Sequence, residues 1–144
     1  MQLFKIFSFG KVIYKGLYES LQVLDKTTPS FKGCNNEFHE NREWWVAVNN
    51  KNEIIAYCGS VYTQGICIFI RSWVTPKSRG KGMQKKMIRL RLKRAREISR
   101  IAITYTTPDN YNSANNLISC GFKIYGPEYA YGGRQMLYFM HNLG

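Results

Sequence analysis

The sequence lacks the features that would indicate a membrane protein, a metal site or a disulfide framework. No stretch approaches the ~20 apolar residues that a membrane span requires, and the opening MQLFKIFSFGK has no small-residue cleavage site. The four cysteines contain no CxxC pair, and His39, although close to Cys34, has no second pair of ligands to complete a zinc site. We therefore expect reduced thiols, no bound metal, no membrane contact and a cytoplasmic location.

Acidic residues are also scarce. Only 9 Asp and Glu stand against 21 Lys and Arg, which gives a formal net charge of +12. Such an excess points to an anionic partner, whether nucleic acid, an acidic protein or the phosphates of a cofactor. The sign of the charge alone does not choose among them.

The chain does contain enough apolar material for one packed domain over residues 1–144, since 44% of its residues are hydrophobic. Hydrophobic periodicity predicts strands at 1–9, 44–48, 54–62, 66–74, 101–106, 122–125 and 136–140, and helices at 15–26, 81–99 and 113–120. Residues 30–42 are predicted to form a loop or a short second helix. This order is typical of an α+β or α/β domain around one mixed sheet, with a right-handed crossover between two parallel strands.

The most informative segment is the turn between the strand 66–74 and the helix that follows it. Gly80 and Gly82 alternate with Arg79 and Lys81 at the predicted helix N-terminus. Free backbone amides and the positive end of a helix dipole bind phosphate groups, and glycines let the phosphates approach closely. The alternative is a tight strand–helix turn with solvated charges. Neither a Walker loop nor a GxGxxG dinucleotide motif is present.

Two motifs together resemble a known family. Val74-x-Pro76 followed by Arg79-Gly80-Lys81-Gly82-Met83 resembles motif A of the GNAT acyltransferases, in which V-x-P precedes Q/R-x-x-G-x-G/A. Asn110-Tyr111-Asn112-Ser113, then Leu117 and Gly121-Phe122, resemble the second family motif, N-x-x-A/S-x-x-x-Y-x-x-x-G-F. The two motifs fall at the ends of two predicted helices, where the family places them.

The resemblance implies a GNAT-like mixed central sheet flanked by helices, with a V-shaped split between the parallel strands 66–74 and 101–106. The pantetheine arm of acetyl-CoA would lie in this split like an added strand. The implied cofactor contacts are the backbone of Trp73, Val74 and Thr75, the turn of Arg79, Gly80, Lys81, Gly82, Met83 and Gln84, and Asn110. The implied reaction moves an acetyl group to a primary amine, mainly by positioning the reactants and stabilising the oxyanion.

The sequence departs from the family pattern at two motif positions. Gln84 replaces the usual final Gly or Ala, which implies a tighter helix start or a side chain that itself meets a phosphate. Leu117 stands where many members carry the Tyr that protonates the departing thiolate, so the acid must be another residue or water. The strand 66–74 also has no carboxylate to serve as a general base.

Five residues are considered for catalysis, and the predicted catalytic set is Arg71, Tyr105, Asp109 and Tyr111. Tyr105, Asp109 and Tyr111 should lie near the split by strand or motif position, as should Tyr62. Arg71 is a charge inside an apolar strand, which is costly to bury without a partner. We predict that Arg71 faces a substrate or phosphate, and the alternative is a structural pair with a carboxylate.

The basic helix raises a second function. On a helical wheel, one stripe carries six basic residues, Lys85, Lys86, Arg89, Lys93, Arg96 and Arg100, of which Lys85, Arg89, Lys93 and Arg96 are the predicted nucleic-acid contacts. Such a stripe is usually a solvated outer face, and the alternative is contact with nucleic acid. Some phage DNA-modifying proteins of the Mom type are similar to the same superfamily, so the alternative function is a nucleic-acid-binding, base-modifying protein on this fold. The tyrosines of the loop 126–134 and Tyr125 would then stack on a flipped base, or instead line an amine pocket or cover the core.

Overall fold

The computed structural model describes residues 2–7, 15–28 and 42–144. The strands are β1 Gln2–Phe7, β2 Arg42–Val48, β3 Ile54–Thr63, β4 Ile66–Val74, β5 Ile101–Thr106, β6 Lys123–Ile124 and β7 Leu137–Asn142. The helices are α1 Lys15–Thr27, α2 Met83–Ile98 and α3 Tyr111–Ser119, with a short 3₁₀ turn at Pro76–Ser78. The segment predicted as a loop or short helix, like Cys34 and His39, lies outside the described residues except for Arg42.

One mixed sheet organises these elements. The seven strands lie in the order β1-β2-β3-β4-β5-β7-β6. Neighbours are antiparallel except β4 and β5, which are parallel and are joined by α2. The predicted mixed sheet flanked by helices is therefore confirmed.

The first residues of α2 and α3 differ from the predicted helix starts, because each start is set by its N-cap residue. Gly82, with φ 78, is the N-cap of α2, so this helix begins at Met83 rather than at residue 81. Asn110 caps α3 by accepting a hydrogen bond from the Ser113 amide at 3.2 Å, which starts that helix two residues earlier than its apolar pattern indicates.

The two faces of the sheet are covered by different helices. On one face, α2 and α3 pack over the sheet, and Ile88, Leu92 and Ala95 are buried because their spacing places them on one side of α2. On the other face, Leu21 of α1 packs with Trp44 and other large side chains of β2 and β3. The sheet is therefore a central layer with apolar residues on both sides.

The ladder between β4 and β5 is short. Its pairs are Ile66 with Ile101, Cys67 with Ala102, and Ile68 with Ile103, although β4 continues to Val74 and β5 to Thr106. Beyond these pairs the Thr104 hydroxyl donates to the Phe69 carbonyl at 3.2 Å. Backbone pairing between the two parallel strands thus stops well before either strand ends.

A β-bulge interrupts the pairing of β3 with β4. Cys58 opposes Ser72 and Gly59 opposes Ile70, so Arg71 is the extra residue that is inserted in β4. Arg71 has φ 50, a left-handed conformation that is uncommon for a residue other than glycine. Bulges bend a strand and redirect its side chains, and they occur often beside active sites.

The sequence predicts no membrane span, no metal site and reduced thiols. Of the residues described, none forms a helix long and apolar enough to span a membrane. Within the same ranges, no three side chains of the metal-ligating types cluster together. Cys58 and Cys67 are buried free thiols, and burial raises the pKa of Cys67 to about 11, which disfavours the reactive thiolate.

Candidate functional site

The glycine turn before α2 is open on the side where side chains would lie. Gly80 and Gly82 have φ 77 and 78, a conformation that L side chains adopt rarely. A Cβ at either glycine would have no heavy atom within 4 Å. The turn therefore has free space directly against its backbone. Gly80 and Gly82 are explained by their left-handed conformation and by the open space that they leave, because no neighbouring atom would clash with a side chain there.

The amides at this turn are largely free of protein partners. The Arg79 amide donates to the Pro76 carbonyl at 3.4 Å, and the first bond that closes α2 runs from the Lys86 amide to the Gly82 carbonyl at 3.1 Å. Between them, the amides of residues 80–85 donate no hydrogen bond to any described residue. Unpaired amides at the start of a 16-residue helix form an anion-binding site, reinforced by the helix dipole.

Positive charge and open volume lie at the same turn. The Arg79 Nε donates to the Val74 carbonyl at 3.0 Å, which holds this exposed side chain against the end of β4. A cavity of about 340 Å³ adjoins the turn and is lined by Ile55, Ser78, Lys81, Gly82, Met83 and Lys86. The turn thus offers two exposed cations, Arg79 and Lys81, beside its free amides.

The end of β4 is only partly available to a ligand. The Thr75 amide donates to the Ile55 carbonyl at 2.8 Å, and the Thr75 carbonyl accepts from the Ser78 amide at 2.9 Å. The Trp73 ring packs 5.7 Å from the Tyr57 ring, on the α1 face of the sheet. The predicted backbone contact at Thr75 therefore already has protein partners, as does the Val74 carbonyl through Arg79. Trp73 and Val74 both lie beyond the last β4–β5 pair.

Gln84 bridges α2 to its neighbours. Its Nε2 donates to the Ser113 hydroxyl at 2.8 Å and to the Ser72 hydroxyl at 3.3 Å, and its Oε1 accepts from Asn116 Nδ2 at 2.6 Å. These bonds join the first turn of α2 to β4 and α3. Sequence reasoning missed Ser113 and Asn116 as partners, and the available signal was a long amide at a motif position that is usually Gly or Ala.

The start of α3 places three predicted residues together. Asn110 caps the helix, and the Tyr111 amide donates to the Asp109 carbonyl at 3.0 Å. The Asp109 side chain is exposed, and Tyr111 is 72% exposed. Leu117, at the usual Tyr position, is buried in the core beneath α2 and cannot take part in proton transfer.

Tyr105 stands at the end of β5 in an aromatic cluster. Its ring is 5.4 Å from that of Tyr131 and 5.7 Å from that of Tyr138, and it touches the space where a Gly132 side chain would begin. The Tyr138 hydroxyl accepts from the Gly132 amide at 2.9 Å and donates to the Gly133 carbonyl at 2.7 Å. The loop before β7 is therefore anchored at the end of β5.

The loop tyrosines differ in exposure. Tyr125 and Tyr131 pack edge-on against Tyr138, and burial raises the pKa of Tyr131 above its usual range. Tyr129 is 78% exposed. The sequence analysis considered base stacking, an amine pocket and cover for the core as roles of these tyrosines. The packing of Tyr125 and Tyr131 fits the third role, whereas Tyr129, alone of the three, projects into solvent.

Arg71 pairs with a carboxylate. In the sequence analysis this pair was the alternative to a contact with substrate or phosphate. Its Nε donates to Asp25 Oδ1 at 3.0 Å, and the Tyr57 hydroxyl donates to the same oxygen at 2.7 Å. Asp25 is fully buried, and burial followed by the bond to Asp25 raises the pKa of Tyr57. Asp25 gave no sequence signal, because one acidic residue near the end of an amphipathic helix usually faces solvent.

The basic face of α2 is defined here by Arg89, Lys93 and Arg96, all exposed, with Lys85 half-buried beside it. Arg94 instead pairs with Glu43 at 3.0 Å and with Glu97 at 2.6 Å, and these bonds, that to Glu97 first, raise its pKa. Across the part of the chain that the structure describes, the basic face has no carboxylate within ion-pair distance. It is therefore a cationic stripe open to solvent.

Comparisons with known proteins identify the family and the fold of the chain. The model of the acetyltransferase (GNAT) family matches residues 11–122 of the chain. A search of curated proteins finds no match.

Three solved structures are similar along almost their whole length. Tetrahymena GCN5 is 14% identical, with a TM-score of 0.73, and the match covers 100% of this chain and 97% of that one. Aminoglycoside 6'-acetyltransferase type Ii is 14% identical, with a TM-score of 0.74 and coverage of 99% and 97%. The spermidine/spermine N-acetyltransferase SpeG from Vibrio cholerae is 15% identical, with a TM-score of 0.68 and coverage of 99% and 95%. At these identities the likeness shows a shared fold.

Proposed function

Because the chain belongs to the acetyltransferase (GNAT) family, we propose that it transfers an acetyl group from acetyl-CoA directly to a primary amine. The amine belongs to a small molecule or a protein, and no covalent enzyme intermediate forms. The observation that carries this proposal is the set of free amides at residues 80–85, at the N-terminus of α2. A diphosphate fits such a site by charge and by hydrogen bonding.

The residues of the turn suit the diphosphate of acetyl-CoA. Gly80 and Gly82 leave space against the backbone, and Arg79 and Lys81 add charge at its rim. When bound, acetyl-CoA supplies the acetyl thioester that the amine attacks. Asn110, Met83 and Gln84 complete the proposed set, with Gln84 holding α3 beside the turn through Ser113.

The early end of the β4–β5 ladder supports a V-shaped split for the pantetheine arm. Beyond Ile68 and Ile103, the two parallel strands have no further backbone pairs, so their facing edges are available to an extended ligand. We place the arm against β4 at Trp73 and Val74. Backbone hydrogen bonds there would orient the thioester relative to the incoming amine, which is the main source of rate enhancement in such a transfer.

Proton transfer falls to exposed groups at the carboxyl end of β5 and the start of α3. Tyr105 is 41% exposed at the end of β5, and Asp109 and Tyr111 are exposed just beyond it. We assign the removal of the amine proton to this set, with water as a relay where a side chain does not reach. We propose that Arg71, the remaining predicted catalytic residue, acts through its pair with Asp25.

Calorimetry with acetyl-CoA tests the proposal. We expect binding by the wild-type protein and its loss in Gly82→Trp, since an indole at residue 82 fills the space against the free amides. Gly133→Trp is the matched control, because Gly133 also has a positive φ of 104 and no heavy atom within 4 Å of a built Cβ. Absence of wild-type binding, or equal binding by Gly82→Trp, would contradict the proposal.

One observation favours a second function, nucleic-acid binding with or without base modification. The basic face of α2 has no carboxylate partner among the residues described, whereas Arg94 on the same helix has two. A row of unneutralised cations on one helix suits a row of phosphates. This function is compatible with the first, since the face lies on the solvent side of α2 and the free amides lie at its end.

A further inference from the structure

The bulge at Arg71 sets the direction of every later residue of β4. Ile70 packs in the cluster on the α1 face, and Arg71 reaches Asp25 on the same face, so two consecutive residues point to one side. Ser72 then contacts Gln84 on the α2 face. Because strand residues alternate, one inserted residue reverses the alternation of the residues that follow. The bulge therefore decides which backbone groups of residues 72–74 face β3 and which face the β5 side.

On the α1 side, the bulge is held by a buried ion pair. Asp25 is 0% exposed, and the Arg71 side chain is 12% exposed. Their contact of 3.0 Å is supported by the Tyr57 hydroxyl, which donates to the same carboxylate oxygen at 2.7 Å. A buried pair of this kind contributes little net stability compared with apolar residues, so its value lies in fixing one geometry.

On the α2 side, the bulge is held by a buried arginine. Arg91 is 2% exposed in the otherwise apolar face of α2. Its Nη1 donates to the Gly59 carbonyl at 3.2 Å and to the Arg71 carbonyl at 3.5 Å, and its guanidinium lies 4.2 Å from the centre of the Phe69 ring. The two carbonyls belong to the strands on either side of the bulge, where the ladder is disrupted. Arg91 thus satisfies backbone groups that the bulge exposes.

We propose that Asp25 and Arg91 are positioning residues for acetyl transfer. Together with Arg71 they form a bulge clamp: Asp25 fixes the Arg71 side chain from α1, and Arg91 fixes the Arg71 carbonyl from α2. The clamp holds β4 so that residues 72–74 present their backbone to the thioester arm. This inference rests on the proposed function, and it assigns the buried charges of both helices to the geometry of one strand.

Kinetics of Asp25→Asn and Arg91→Met test the clamp. We expect kcat to fall roughly 10- to 100-fold in each, because small displacements of a positioned reactant have effects of this size. The Kd for acetyl-CoA should change less than about threefold, because most of the affinity comes from the diphosphate at the turn, which neither variant touches. The matched control is Glu97→Gln, which removes a carboxylate from the exposed pair with Arg94 and should leave both constants unchanged.

A double variant separates positioning from simple stabilisation. In Asp25→Asn/Arg71→Met neither charge is left unpaired, so the free energy of unfolding should return towards that of the wild type. We expect kcat to stay low, because the bulge is no longer fixed. Recovery of kcat together with stability would overturn the proposal.

Amide exchange keeps the clamp testable without catalysis. Hydrogen exchange of the Ser72, Trp73 and Val74 amides, measured by NMR, should be faster in Asp25→Asn and in Arg91→Met than in the wild type or Glu97→Gln. Unchanged exchange at these amides would refute the clamp. If wild-type protein binds no acetyl-CoA, the proposed function fails, while this exchange measurement still decides whether the clamp exists.

Discussion

At the scale of single residues, Gln84 shows how a departure from a family motif can be accommodated. A Gly or Ala at this position would leave the hydroxyl of Ser113 and the amide of Asn116 without this partner. Gln84 instead forms bonds of 2.8 and 2.6 Å with them. The side chain therefore connects the helix that carries the free amides with the helix that carries Asn110. Its role is contact between helices, whether or not it also meets a phosphate.

We predict that Gln84→Ala lowers the free energy of unfolding by about 2 kcal/mol, because it removes two partly buried hydrogen bonds and one exposed one. Acetyl-CoA binding should also weaken, since α3 is no longer fixed against the turn. Urea unfolding and calorimetry measure the two effects. The control is Gln135→Ala, at an exposed position, which should change stability by no more than about 0.5 kcal/mol. A stable Gln84→Ala with wild-type affinity would show that the bridge is dispensable.

At the scale of secondary-structure elements, the N-termini of α2 and α3 are built differently. α2 starts at Gly82 with no side-chain cap, which leaves its first amides for a ligand. α3 has Asn110 as its N-cap, and the Asn110 side chain accepts a hydrogen bond from the Ser113 amide. The N-terminus of α3 thus has a side-chain hydrogen-bond acceptor from the protein, and the N-terminus of α2 has none. This difference distinguishes the candidate anion site from an ordinary helix start.

The cap of α3 gives a prediction in which stability and binding separate. Asn110→Ala should lower the free energy of unfolding by about 1 kcal/mol through loss of the cap. Asn110→Asp should keep the cap and the stability, yet bind acetyl-CoA more weakly, because it adds a negative charge where the proposal places an anionic ligand. Urea unfolding and calorimetry on the two variants check this. Unweakened binding by Asn110→Asp would remove Asn110 from the proposed cofactor set.

Elements were more predictable from the sequence than contacts between them. The order of strands and helices followed from hydrophobic period, because each element buries one face or stripe against the sheet. The bulge at Arg71 could not be read in this way, since an alternating apolar pattern does not reveal one inserted residue. Nor could Asp25, whose partners Tyr57 and Arg71 are distant in sequence and meet it only after the sheet forms. The glycine turn was predictable because its signal is local.

At the scale of the whole molecule, the basic side chains divide into those that contact other residues of the protein and those that are exposed to solvent. The net charge is +12, yet Arg71, Arg91 and Arg94 serve internal contacts with carboxylates or carbonyls. The cations of the basic face of α2 remain exposed. Binding of a polyanion to this face would depend steeply on salt, because each neutralised phosphate releases counterions.

We predict that single-stranded DNA binding, if it uses this face, weakens in Arg89→Ala/Lys93→Ala/Arg96→Ala. The slope of log affinity against log salt should fall by about 2, since each lost phosphate contact contributes ~0.7. The matched control removes three exposed lysines elsewhere, Lys26, Lys51 and Lys123. Equal weakening in both triple variants would show that binding follows total charge, and no effect in either would remove support for the second function.

The consecutive placement of the end of β4, the glycine turn and the start of α2 has a consequence for how such a protein can diversify. Residues 72–85 contribute both the strand edge and the free amides, so every proposed donor-binding group except Asn110 lies in one continuous segment. The groups proposed to remove the amine proton come from the end of β5 and the start of α3. Acceptor preference can therefore change through substitutions in those two elements, while residues 72–85 are inherited as a unit.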